Sequence, residues 1–371
     1  MRDAIRLGRV FGIPVGVSWT LVVIVGLLTY DLAVSLPGGV TAAGVLVATV
    51  AAVAFLGSVL LHELAHSVVA RRAGVRVDGI TLWLLGGVSR FGSEAPSAGA
   101  EFRIAIAGPA VSVGLAVGFS LLWLAAGGLA LPAIVTAGLG WLGIINGVVA
   151  VFNLLPAAPL DGGRVLGAAL WARSHDRDRA QVGAARAGRV LGWLLILFGV
   201  WSVFAPTGFF GLWFVLLGWF VLSFADAEAR FYGLRGSLHG VSVGSVMTPV
   251  RTDEPGWLTV DAFADQADPA VGAFIVDDWS AGPAGLVTRD MLRRVAPGAR
   301  ASTRVLDIAV PLHQLRDAEP GEDLSAAWSR PMPGRLPHLV VRDGGRIVGV
   351  VTPDELRRAG GSSASRRALR I

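Results

Sequence analysis

The order of apolar and polar positions divides the chain into two unlike parts. Six apolar stretches, at 13–36, 43–70, 102–126, 133–155, 186–205 and 208–225, are long enough, or nearly so, to cross a bilayer. A helix needs about 20 residues to do so. Beyond residue 225 the apolar runs shorten to strand and helix length, with polar residues between them. The pattern predicts six transmembrane helices followed by a soluble α+β part. Met1 to Ser18 forms a basic flank, and no small-residue cleavage site follows Leu28, so the first stretch reads as a retained span.

Charge sharpens the division. Residues 1–225 hold 9 acids and 14 arginines, whereas 226–371 hold 18 of each, so the first part carries the whole net charge of +5. All 32 basic residues are arginine. So small a net charge gives no basis for nucleic-acid binding. The chain has no cysteine, so disulfides and thiolate metal sites are excluded, and any metal must take His and carboxylate ligands. Arg2, Arg6 and Arg9 precede the first stretch. Arg71, Arg72 and Arg76 follow the second, Arg103 opens the third, and Arg164, Arg173, Arg177 and Arg179 lie between the fourth and fifth. The alternate loops, around Pro37, Gly127 and Pro206, have none. The positive-inside rule then predicts a multi-pass protein of the cell membrane with both termini and the soluble part in the cytosol.

Ionisable groups at membrane depth are costly, so the few present are the first place to look for chemistry. The second stretch ends Leu60-Leu61-His62-Glu63-Leu64-Ala65-His66-Ser67, an H-E-x-x-H pattern. Histidines four residues apart differ by about 40° around a helix, so both can reach one Zn²⁺ with the glutamate beside its water. Catalytic zinc usually takes three protein ligands. The best third candidate is Asp161, the only acid between Glu101 and Asp176, in Asn153-Leu154-Leu155-Pro156-Ala157-Ala158-Pro159-Leu160-Asp161-Gly162-Gly163. Two prolines should break the helix there, and the glycines permit a sharp turn. The competing readings are buried histidines satisfied by neighbouring helices and an aspartate facing solvent from a plain turn. His66 lies five residues, about 7.5 Å, before Arg71, which puts the site inside the membrane towards the cytosol. Val75 to Phe91 alternates in places and contains Gly86-Gly87, so it reads either as a re-entrant β-hairpin that pairs with an unwound substrate or as a simple loop hairpin. His175, in a charged loop, reads as solvated.

Taken together, H-E-L-A-H and N-x-x-P-x-x-P-L-D-G-G resemble the paired motifs of the site-2 protease family of intramembrane zinc metalloproteases. The likeness extends to Gly12-Ile13-Pro14-Val15, Leu85-Gly86-Gly87 and Gly108-Pro109. It implies one Zn²⁺ per chain on His62, His66 and Asp161, with Glu63 as catalytic acid/base. It implies Asn153 as a substrate or oxyanion contact, although a purely interhelical polar role is the competing reading. The implied substrates are transmembrane helices, with membrane-tethered anti-sigma factors or similar regulators as candidates. The alternative from another class is a metal-ion channel or transporter using the His/Glu/Asp cluster as a permeation site. No inverted repeat of the transporter kind is visible.

Residues 240–359 contain an internal repeat. Gly285-Leu286-Val287-Thr288-Arg289-Asp290 matches Gly349-Val350-Val351-Thr352-Pro353-Asp354 at an offset of 64. Each unit reads as strand, helix, two strands and a helix starting near Asp290 or Asp354. The repeat resembles a tandem pair of CBS domains, with Val246-Met247-Thr248-Pro249 opening the first and Val305-Leu306-Asp307-Ile308 a weaker opening for the second. The resemblance implies adenine nucleotide (ATP or AMP) contacts at Thr288, Asp290, Thr352 and Asp354, and control of the membrane part. The competing reading has both aspartates capping helices and the pair acting as a homodimerisation module. The expected organisation is a membrane zinc protease domain at 1–226, a linker at 227–239, CBS domains at 240–296 and 303–359, and a disordered tail at 360–371 whose arginines could touch anionic lipid.

Overall fold

The computed structural model describes residues 4–83, 86–204, 209–269, 271–279, 282–330 and 338–368. Leu85 of the expected Leu85-Gly86-Gly87 motif therefore lies outside the described residues. Contacts within the chain divide it into two units, Met1–Tyr232 and Gly233–Ile371.

The first unit opens not on a helix but on a β-hairpin, β1 (Ala4–Val10) and β2 (Ile13–Ser18), turning through Phe11 and Gly12, both with positive φ. This corrects the first expected span. Its beginning, Ile13-Pro14-Val15, is strand, and the helix that follows, α1 (Thr20–Ser35), has 16 residues. Ile13, Val15 and Val17 do alternate, but the pattern is only three positions long and runs into an apolar helix without a charged break, so it merges with the span.

Next come α2 (Ala42–Arg72), β3 (Val77–Trp83), β4 (Gly86–Phe91), α3 (Ala98–Gly128) and α4 (Ala133–Leu154). They are followed by α5 (Asp161–Ser174), α6 (Arg177–Val203) and α7 (Phe209–Leu238). Among the described residues, five helices are long and apolar enough to cross a membrane: α2, α3, α4, α6 and Gly211–Leu238 of α7. With the shorter α1, these correspond to the six predicted stretches. Helix α5 is an addition, since the two prolines and two glycines around Asp161 predict only a turn. Large side chains such as Leu121, Trp193, Leu197, Trp201 and Trp219 are exposed along these helices. So much apolar exposure suits hydrocarbon and would be an aggregation hazard in water.

Capping matches the sequence locally. Thr41 accepts from the Gly44 amide at the start of α2, and Ser97 from the Ala100 amide at the start of α3. Arg71 and Arg72 close α2, where cations favour the negative end of the helix dipole. The four strands form one sheet in the order β1-β2-β3-β4, with β2 and β3 parallel and the outer pairs antiparallel. Ile13, Ile80 and Leu82 of the sheet pack against Leu64 of α2, so the sheet is seated on the helix that carries H-E-x-x-H.

The second unit holds two βαββα repeats. The elements of the first are β5 (Thr248–Pro249), β6 (Arg251–Pro255), α8 (Val260–Gln266), β7 (Ala273–Asp278), β8 (Gly282–Thr288) and α9 (Arg289–Arg294). Those of the second are α10 (Val305–Ile308), β9 (Val310–Pro311), β10 (Arg316–Ala318), α11 (Leu324–Ser329), β11 (Leu339–Asp343), β12 (Arg346–Val351) and α12 (Pro353–Ala368). The sheets are ordered β6-β7-β8-β9 and β10-β11-β12-β5, so each repeat lends its leading strand to the other's sheet. Alternation along β7 explains the core. Phe274 and Val276 join the cluster beneath α8 and α9, while Ala273 and Ile275 meet Leu286, Val340 and Val350 between the sheets. Leu234 and Leu238 at the end of α7 pack into the cluster of the second repeat. The weaker opening of the second repeat, Val305 to Ile308, is a short helix that leads into β9, and α12 runs from Pro353 to Ala368.

Candidate metal centre

Helix α2 presents His62 and His66 on its buried face, one turn apart. Asp161 is the first residue of α5, reached through the Pro156–Pro159 turn after α4. Hydrogen bonds from the Ala157 amide to Leu155, from Leu160 to Ala157 and from Arg164 to Leu160 hold that turn. Gly162 and Gly163 are helical, contrary to the sharp turn expected of them. Their role is space, since a Cβ on Gly162 would lie 2.3 Å from the carbonyl oxygens of Leu154 and Leu155, and one on Gly163 would lie 2.3 Å from the Ala158 nitrogen.

The two segments converge on three atoms. His62 Nε2 lies 3.1 Å from Asp161 Oδ2, His66 Nε2 lies 3.1 Å from the same oxygen, and the two Nε2 atoms are 3.1 Å apart. The Asp161 side chain is 13% exposed and the histidines less. Behind them, His66 Nδ1 donates to the Ile104 carbonyl at 2.6 Å, and His62 Nδ1 contacts Ser112 Oγ at 2.9 Å. Because a carbonyl can only accept, a neutral His66 carries its proton on Nδ1 and turns the lone pair of Nε2 towards a carboxylate oxygen and a second imidazole nitrogen. If His62 takes the same tautomer, donating from Nδ1 to Ser112 Oγ, three acceptor atoms converge, an arrangement that a cation satisfies. Tetrahedral zinc with bonds of about 2.0–2.1 Å separates its ligands by about 3.3 Å. The triangle fits.

Helix α3 closes the site from the opposite side through a glycine. A Cβ on Gly108 would lie 2.2 Å from His66 Nε2 and 2.5 Å from His62 Nε2, so any side chain there would fill the space in front of the three ligand atoms. Among the described residues, this trio is the one group of three His, Asp or Glu side chains arranged to hold a metal.

Glu63, half-buried, lies under β4. Its Oε2 accepts from Ser89 Oγ at 2.6 Å, and Ser89 also contacts Ser67 Oγ at 3.1 Å. A Cβ on Gly87 would lie 2.3 Å from Glu63 Cγ. The β3–β4 hairpin is therefore packed on the H-E-x-x-H helix and is not a free loop. Asn153 stands half-buried on the last turn of α4, just before the turn leading to Asp161. Its side chain makes no hydrogen bond among the described residues. Ser112, Ile104 and Ser89 carry no signal of their own in the sequence, because each acts sideways from another element, and Gly108 enters it only through the Gly108-Pro109 pair.

The chain belongs to peptidase family M50. The family's model matches residues 50–134 and 125–195, which include every residue of the trio. Rip3 of Mycobacterium tuberculosis, named a zinc metalloprotease, is 43% identical over 96% of this chain and 93% of its own length. A solved site-2 protease from Methanocaldococcus jannaschii is 28% identical, covering 61% of this chain and 95% of its own, with a TM-score of 0.43. The CBS domain of a membrane protein from Sphaerobacter thermophilus is 17% identical, covering 36% of this chain and 96% of its own, with a TM-score of 0.26. This M50 chain is a multi-pass membrane metalloprotease of the site-2 type, and membership of a peptidase family disfavours the channel or transporter alternative.

In the second unit, Thr288 caps α9 by accepting from the Met291 amide at 3.4 Å. The Thr352 hydroxyl donates to Glu355, whose carboxylate also accepts from the Thr352 amide at 2.8 Å. The caps are thus threonines and a glutamate, not the aspartates. Asp290 and Asp354 are exposed and pair with Arg294 and Arg357.

Proposed function

We propose that His62, His66 and Asp161 hold one Zn²⁺ and that Glu63 is the acid/base of peptide-bond hydrolysis within the membrane. The observation that carries the reading is the triangle of three potential ligand atoms with 3.1 Å edges, backed by the His66 Nδ1 proton donated to the Ile104 carbonyl and by Gly108, which leaves room beside both Nε2 atoms. Bound zinc supplies Lewis acidity, which brings the pKa of water to about 7 and polarises a carbonyl. Glu63 takes the proton from the attacking water and delivers it to the leaving amine. Ser89 holds one oxygen of that carboxylate, leaving the other for the exchange. Asn153, with no competing partner among the described residues, donates to the developing oxyanion. A helical substrate must unwind before attack, and β4, an edge strand of its sheet, can pair with the extended segment.

Arginine placement supports cytosolic termini and a site opening towards the cytosol. Substrates are then membrane-embedded proteins cut near that face, a membrane-tethered regulator such as an anti-sigma factor being one candidate. For the second unit we carry adenine-nucleotide binding at Thr288, Asp290, Thr352 and Asp354 as the regulatory reading, supported by the repeated G-x-V-T-x-D and by two exposed aspartates. Homodimerisation through the same unit is its rival. Titration of the purified full chain with ATP and AMP decides between them, and absence of heat with either ends the nucleotide reading.

Zinc content tests the centre. Purified wild-type protein should carry one zinc per chain, and His62→Ala and Asp161→Ala much less. Equal zinc in all three would refute the ligand assignment.

A further inference from the structure

Helix α3 is the common reference for the whole centre, and one ion pair ties the third ligand to it. Its Ile104 carbonyl and Ser112 hydroxyl hold the two histidines. One turn before Ile104, Glu101 projects a side chain only 6% exposed. Its Oε1 accepts from Arg164 Nε at 3.0 Å and lies 2.9 Å from Nη2. Arg164 is one turn beyond Asp161 on α5, and its guanidinium lies 5.6 Å from the Phe91 ring centroid on β4. A second cation, Arg177, stands 3.8 Å from Glu101 Oε2 and pairs with Glu94.

We propose that the Glu101–Arg164 pair is the positioning device that sets Asp161 against His62 and His66. The inference rests on the ligand assignment above. Asp161 begins its helix, so the backbone that carries its carboxylate is set by the proline turn on one side and by the orientation of α5 on the other. Rotation of α5 about its axis is what would misplace it. A side-chain tip about 5 Å from a helix axis moves about 0.5 Å for a rotation of about 6°, already the tolerance of a built metal site. A two-nitrogen contact to one carboxylate at the next turn opposes that rotation, and does so against the helix that holds the histidines. Burial adds stringency, because a carboxylate shielded from water requires its cation. Phe91 extends the same anchor to β4, the strand that meets Glu63.

The test is zinc affinity of the purified full chain, measured by competition with a chromophoric chelator. Arg164→Gln and Glu101→Gln should weaken zinc by about tenfold or more, as losses of outer-shell support do. Arg164→Lys, with its charge kept and its fork removed, should fall between them and wild type. Exchanging the partners in Glu101→Arg/Arg164→Glu should recover part of the loss. Asp226→Asn breaks the Arg189–Asp226 pair between α6 and α7 and should leave zinc affinity unchanged. If Glu101→Gln does not fold, Arg164→Lys against Asp226→Asn carries the comparison. Wild-type zinc affinity in the Arg164 variants, or an equal loss in Asp226→Asn, overturns the proposal. His62→Ala separates the two levels. If it loses tight zinc while Arg164→Gln keeps it, only the positioning role fails. If it keeps tight zinc, the ligand assignment fails, and the positioning role with it.

Discussion

Ser89 Oγ on strand β4 donates to Glu63 Oε2 at 2.6 Å, across 26 residues of sequence. The strand at the open edge of the sheet is thereby bonded to the carboxylate assigned to proton transfer. Ser89→Ala removes one oriented hydrogen bond to a charged group, typically worth about 1.5–3 kcal/mol. Cleavage of a model transmembrane substrate in liposomes should fall about tenfold or more at saturating substrate, with zinc content unchanged. An unaltered rate would show that Glu63 needs no such anchor.

Gly87→Ala should be more damaging than its size suggests. The added methyl would need the space of Glu63 Cγ, 2.3 Å away, so either the hairpin lifts or the glutamate swings aside. We expect near-complete loss of turnover in protein that still binds zinc. Normal activity would mean that β4 does not lie over Glu63 in the working enzyme.

Gly108→Ala attacks the metal directly. Its methyl would fall within 2.5 Å of both Nε2 atoms. Zinc stoichiometry should drop well below one while the protein remains in the membrane fraction. Ser112→Ala is the milder companion, removing the contact to His62 Nδ1, and should weaken zinc about 10- to 100-fold. Full zinc affinity in both variants would contradict the described centre.

The second unit carries a pH dependence of its own. Burial pushes the Glu355 carboxyl up, but hydrogen bonds from Thr352 and Thr248 outweigh it and hold the group below its usual value of 4.5. A carboxyl with a lowered folded-state pKa stabilises the fold fully above its unfolded pKa. The contribution is lost as pH falls through the folded value. The melting temperature of the full chain should therefore decline below about pH 4.5 less steeply in Glu355→Gln than in wild type. Parallel declines would remove Glu355 from the account.

Much of this centre is legible in one dimension. His62 and His66 are one helical turn apart, so their sequence spacing is already their geometry. Asp161 stands out because it is the only acid between Glu101 and Asp176. Ser112, Ile104, Gly108 and the Glu101–Arg164 pair come from helices packed at distances that spacing does not encode. The N-terminal hairpin is hard to see because β1, with Arg6 and Arg9, reads as the basic flank of a span, while the apolar β2 runs into the helix that follows. The exchange of β5 and β9 between repeats involves strands of two residues, too short for any periodicity. Helix α5 begins where two prolines and two glycines suggest only a break. What the sequence hides there is close packing, in which the glycines leave room for the carbonyls of the preceding turn.

The central claim joins a metal on His62, His66 and Asp161 to a proton carrier at Glu63. It is tested most directly by cleavage of a model transmembrane substrate by Glu63→Gln in liposomes, with zinc quantified in the same preparation. The account predicts bound zinc at the wild-type level and cleavage reduced to background. Cleavage at the wild-type rate with zinc bound would contradict it.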